Sequence, residues 1–152
     1  MVDSNKPARE RELNAALEAI YFGFRAITAQ PDARLERLGY SRVHHRILFF
    51  VGRNPACSVN ELLGIMRVTK QYLHRPLRRL VQDGYLRTDT DACDGRVKRL
   101  RLTSRGAALE KDLSGDQRRR FQKVFEASGG QAEAGWRQVM ALLAESTEQE
   151  KG

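Results

Sequence analysis

Apolar residues recur along the chain with two different periods, and the changes of period divide it into elements. Over residues 8–29, Leu13, Leu17, Ile20, Phe24 and Ile27 stand three or four positions apart among strong helix formers, which predicts one long first helix. Gln30-Pro31-Asp32 should interrupt it, because proline disfavours helical geometry in the residue before it, leaving Asp32 to cap a short turn before Gly39. Ser41 is placed to cap a second helix to about Gly52, whose Val43, Ile47, Leu48, Phe50 and Val51 are too dense for an exposed surface. Arg53-Asn54-Pro55 is a turn signal. Ser58 and Glu61 then have the spacing of a capping box, and Leu62, Leu63 and Ile65 supply the apolar face of a short helix ending near Met66. Thr69 can cap a fourth helix, in which Leu73, Leu77, Leu80 and Val81 point to a core and Lys70, Gln71, His74, Arg75, Arg78 and Arg79 lie outside or on the flanks.

After Asp83-Gly84, which closes that helix, the period shortens to two. Residues 85–88 read as one strand and 97–102 as its partner, with the reversal at Asp94-Gly95. From Ser104 a long helix is predicted to Ser128, then a break at Gly129-Gly130 and a last helix over 132–146. Two short helices, a tight turn and a hairpin form a winged helix-turn-helix. The fold class is therefore mostly α with a small β-hairpin wing (α+β), with a winged helix-turn-helix DNA-binding domain over 32–103. The outer helices, 8–29 and 104–148, each carry an apolar stripe that so small a reader cannot bury alone. Packing them together and against a second copy satisfies them, which nominates Leu13, Leu17, Phe121, Phe125, Trp136, Val139, Leu142 and Leu143 as dimer contacts.

Charge sharpens this picture. Between Arg67 and Arg101 ten Lys/Arg stand against four Asp, so most of the formal +8 of the 152-residue chain is concentrated in about a quarter of it. Such a focus favours a polyanion, and a helix beside a basic hairpin has the dimensions to occupy a major groove and the adjoining backbone or minor groove. Gln71, His74 and Arg75, near the start of the presented helix, are candidate base-edge readers. Lys70, Arg78 and Arg79 are candidate phosphate contacts, with an ion pair to Asp83 as the other reading of Arg79. Thr69, at the head of the helix, and the hairpin residues Arg96, Lys98 and Arg99 complete the DNA-binding set.

Other chemistries find little support. No Gly-rich phosphate loop follows a strand and no nucleophile is paired with a base, which argues against an enzyme. No cofactor is implied. No apolar run is long enough to span a bilayer and no signal peptide is recognisable, so a cytoplasmic protein without a membrane partner is expected. Adjacent His44 and His45 point in different directions and have no ligand-spaced partner, so no metal site is expected. Cys57 and Cys93 lack zinc spacing and read as ordinary reduced thiols, although Cys57 precedes a helix N-terminus that could lower its pKa and make a redox switch.

The long first helix, the capped helix-turn-helix, the Asp83-Gly84-Tyr85-Leu86 entry to the hairpin, Asp94-Gly95-Arg96 at its tip, Leu102-Thr103-Ser104-Arg105-Gly106 and the final Trp/Leu helix together resemble the MarR family of bacterial transcription regulators. The resemblance covers about residues 8–148. It implies a homodimeric, sequence-specific regulator of double-stranded DNA, most commonly a repressor, that binds a palindromic operator and places Arg96 in the minor groove. It also implies a small aromatic effector held between the reader and the dimer helices, where Tyr21, Arg25, Tyr40, His44 and Arg46 could edge a cavity. Two departures stand out: Val97 takes the place of a further acidic residue, leaving fewer ion pairs to brace the wing, and Pro76 lies inside the recognition helix, where it is costly and could kink it. A non-specific architectural DNA binder and a winged-helix protein adaptor are the competing readings.

Overall fold

The structure is a computed structural model that describes residues 6–149. The chain divides into two compact units, one running to Asp116 and the other beginning at Gln117.

The first unit opens with α1, Lys6–Leu38, a helix of 33 residues. The expected interruption at Pro31 does not occur. A proline within a helix loses one hydrogen bond and costs about 3 kcal/mol relative to alanine. Here its surroundings offset that cost: Pro31 and Leu35 are buried, and the last turns of α1 are tied to the rest of the unit. Asp32, expected to be a helix cap, instead accepts from Arg42 Nε at 3.0 Å and Nη2 at 2.7 Å, and Arg34 reaches Asp112 at 3.1 Å.

Ser41 heads α2, Arg42–Arg53, as its spacing predicts. The reciprocal half of this cap comes from a histidine: Nδ1 of His44 accepts the Ser41 N–H at 3.0 Å. His44, His45, Ile47, Leu48 and Val51 are buried along this helix, and His45 Nε2 meets Ser114 Oγ at 2.9 Å. Next comes β1, Cys57–Ser58, a two-residue strand that no periodicity could reveal. In α3, Val59–Met66, Ser58 Oγ accepts the Glu61 N–H at 3.0 Å; the Glu61 carboxylate is engaged by Arg99. Helix α4, Lys70–Gln82, runs through Pro76 and is capped by Thr69, whose hydroxyl accepts from the Tyr72 N–H.

Gly84, at φ +81°, turns the chain into β2, Leu86–Thr90, which pairs with β3, Lys98–Leu102. The sheet has three antiparallel strands in the order β1-β3-β2, with Cys57 opposite Leu100 and Leu86 opposite Leu102. Helix α5, Ser104–Ser128, starts against this sheet. Thr103 Oγ1 donates to the Gly84 carbonyl at 2.7 Å and accepts the Gly106 N–H at 3.0 Å. One core unites these elements, with Leu35, Ile47, Leu48, Val51, Leu62, Leu73, Leu80, Leu86, Leu100 and Leu113 nearly or wholly out of solvent. Each fully buried side chain of this kind contributes about 1.5–3 kcal/mol.

The second unit holds the end of α5 and α6, Gly130–Gln149. Trp136 packs against Phe121 and Phe125, with ring centroids 5.2 and 5.6 Å apart.

Candidate nucleic-acid interface

Helix α4 buries Leu73 and Leu80 and half-buries Pro76, Leu77 and Val81, which settles the direction of its other face. Gln71, His74, Arg75 and Arg78 recur at the three- and four-residue spacing of one helical stripe, and all four are exposed. Lys70 is exposed at the head of the helix, beside the Thr69 hydroxyl that caps it. These side chains make no hydrogen bond or ion pair with other described residues, apart from that cap.

Arg79 is placed differently. Its guanidinium donates to the Gly39 carbonyl, stands 3.5 Å from Asp83 and lies 4.5 Å over the Tyr40 ring. Tyr40 in turn donates to Asp83, the residue that ends α4, and burial, before that bond, pushes the phenol pKa well up. Arg79 thus clamps the end of the recognition helix to the α1–α2 connection.

The wing is built around its acidic residues. Asp91 Oδ2 accepts the N–H groups of Cys93 and Asp94, both at 3.0 Å, while Asp91 Oδ1 accepts Arg99 Nε at 3.1 Å. The Arg99 hydrogen bond first, and then the two backbone donors, hold the Asp91 carboxyl below the usual range. Asp89 stands 3.5 Å from Arg101 and 3.6 Å from Arg87, and Lys98 Nζ donates to Thr90 Oγ1 at 3.0 Å. The thinly braced wing expected from Val97 is therefore corrected: Asp89 and Asp91 on the outgoing strand and its extension supply the ion pairs. At the tip, the side chain of Arg96 is 96% exposed.

Of the residues nominated for an effector cavity, Tyr40 and Arg46 line a cleft of about 440 Å³ together with Asp32, Leu35, Ser41, Arg42, Val43 and Tyr72. His44 is not among the lining residues; it is buried and stacked on Tyr40 at 4.6 Å. Tyr21 and Arg25 pair with each other on α1, at 3.3 Å, and are not among the lining residues. The contribution of Tyr72 from α4 was not foreseen, because helical spacing alone does not say which flank a neighbouring helix will approach. Burial, and then the Glu61 carboxylate, push the Cys57 thiol up, opposite to the lowering that a helix terminus could give and that stood as the alternative to an ordinary thiol.

A family model described as MarR family matches residues 38–97. The HTH-type transcriptional regulator PetP of Rhodobacter capsulatus is 39% identical over 150 residues, covering 94% of this chain and 90% of that protein. The chain belongs to the MarR family. It is thus a winged helix-turn-helix member of a family of DNA-binding transcriptional regulators, not of enzymes. Among solved structures of this fold, Streptococcus pneumoniae FabT in complex with DNA superposes with a TM-score of 0.76 at 17% identity, covering 92% of this chain and 98% of that one. The transcriptional regulator SlyA superposes with 0.73 at 16% identity, covering 89% and 95%. Among the described residues of this MarR-family chain, no helix is long and apolar enough to cross a membrane.

Proposed function

We propose that this protein is a cytoplasmic homodimeric repressor that reads a palindromic operator in double-stranded DNA and is released by a small aromatic effector. The observation that carries the reading is the exposed stripe of Gln71, His74, Arg75 and Arg78 beside a wing that ends in the extended Arg96. Gln71, His74 and Arg75 carry donors and acceptors suited to base edges, Thr69, Lys70 and Arg78 stand where phosphates flank the groove, and Lys98 and Arg96 follow the duplex to the minor groove. FabT, a protein of the same fold, is known in complex with DNA, which supports a DNA-binding reading.

A second copy is called for by exposed apolar side chains on both units: Leu13, Leu17, Ile20, Phe22 and Phe24 on α1, and Val124, Trp136, Val139, Leu142 and Leu143 further on. A two-fold dimer presents two recognition helices to half-sites about one helical turn apart, or a multiple of it. The effector reading rests on the cleft, where the Tyr40 and Tyr72 rings and Leu35 supply apolar wall and Arg46 a cation for a carboxylate.

Selection of binders from random duplex DNA at moderate salt, followed by titration of the winning site against a scrambled duplex, tests the proposal. A palindromic winner with a large preference is expected. Equal affinity for any duplex would make the protein architectural, and no binding at low salt would leave a protein adaptor.

A further inference from the structure

Arg99 belongs to the basic hairpin, yet it does not extend into solvent as Arg96 does. Its side chain is 31% exposed, and its guanidinium reaches acceptors on three separate segments. Nε donates to Asp91 Oδ1 at 3.1 Å, and Nη1 donates to Glu61 Oε1 at 2.9 Å and to the Ala56 carbonyl at 3.4 Å. Glu61 lies in the first turn of α3, fixed there by the Ser58 cap, and Ser58 pairs with Arg99 across the sheet. On the other side, Asp91 holds the N–H of Asp94, and Asp94 Oδ1 holds the N–H of Arg96 at 3.0 Å. An unbroken series of hydrogen bonds therefore runs from the base of α3, through Arg99, to the backbone of the arginine at the wing tip. Two carboxylates already face the Arg99 charge, which leaves little of it for a phosphate.

We propose that Arg99 is a positioning residue that aims Arg96 at the duplex, rather than a phosphate contact. The proposal rests on the DNA-binding reading above and adds to it a division of labour within the basic wing. Lysine at this position keeps the charge but cannot span two carboxylates with a planar fork, so the two roles respond differently to Arg99→Lys.

The test measures affinity for the selected operator across a salt series, by fluorescence anisotropy, for the parent, Arg96→Ala, Arg99→Lys and the double variant, with thermal melting to confirm folding. Arg96→Ala is expected to weaken binding about tenfold or more and to lower the salt slope by about one ion. Arg99→Lys is expected to weaken it about threefold or more with the slope unchanged, and to add nothing once Arg96 is gone, because the residue it aims is absent. In the DNA-free protein, the amide resonances of Cys93, Asp94 and Arg96 should move on Arg99→Lys, which a contact made only with DNA would not cause. Parental affinity for Arg99→Lys, or losses that multiply in the double variant, would overturn the proposal and leave the operator reading standing. Parental affinity for Arg96→Ala would overturn it together with the tip assignment, and the duplex selection decides separately whether operator reading survives. Should Arg99→Lys not fold, Asp91→Asn breaks the same series from its other end and carries the same expectation of non-additivity with Arg96→Ala.

Discussion

His44 shows how much one side chain can be asked to do. It caps α2 by accepting the Ser41 N–H, stacks on Tyr40, and lies close enough to the charges of Arg79 and Asp83 to feel both. Burial, and then Arg79, hold its pKa below the ordinary value of about 6.5. The unfolded chain therefore takes up a proton there before the folded one does. Stability is fully present above about pH 6.5 and declines as pH falls towards the folded pKa. Melting temperature should drop as pH falls below about 6.5, and by less in His44→Gln, whose amide oxygen can still accept the Ser41 N–H. The same acid-side slope in both proteins would remove His44 from the account. The thiols give a second test at this scale. Cys57 is buried and its thiol pKa is raised, whereas Cys93 is exposed. A thiol reagent should titrate one cysteine quickly in the folded protein and both in denaturant; two fast thiols would mean that the β1 edge opens.

At the scale of elements, local chemistry and packing decided different things. The caps at Ser41, Ser58 and Thr69 could be read in advance because a cap needs only a short polar side chain a few residues before a helix. Strand β1 could not, because two residues carry no period. Pro31 was misjudged because its penalty is local while the burial of Leu35 and the Asp32–Arg42 pair are not. Gly106 shows the reverse case, a residue type set by tertiary contact. A Cβ there would come within 1.9 Å of the Tyr85 carbonyl oxygen, so the start of α5 can approach β2 closely only with glycine. Gly106→Ala is expected to destabilise the protein by about 3 kcal/mol or more, measured by denaturant unfolding. A loss below about 1 kcal/mol would show that α5 can shift away from the sheet at little cost.

At the scale of the whole molecule, the exposed apolar residues make oligomeric state the property to measure. Leu17 is 67% exposed and Leu142 60%, and each belongs to an apolar stripe that a monomer leaves in water. Sedimentation should give a dimer. Leu17→Glu combined with Leu142→Glu should give a folded monomer whose operator affinity falls by at least about 10²-fold, since two half-sites no longer act as one. A monomeric parent, or a doubly substituted dimer, would contradict this use of the helices. Alternation of period, capping residues and the clustering of arginines were sufficient by themselves to determine the order of the helices and the two hairpin strands, the winged helix-turn-helix and the segment that carries the basic charge. These features depend on neighbours in the chain, and a single sequence contains its neighbours. Only the tertiary structure decided that α1 continues through Pro31, that β1 joins the wing, and that Arg79 and Arg99 are held by carboxylates and carbonyls from other segments while Arg75 and Arg78 are left exposed and Arg96, 96% exposed, meets its neighbour Asp94 at 3.7 Å. Those outcomes depend on which groups meet across tens of residues, where an arginine's charge is the same whether it faces a carboxylate or water and only the fold supplies the partner.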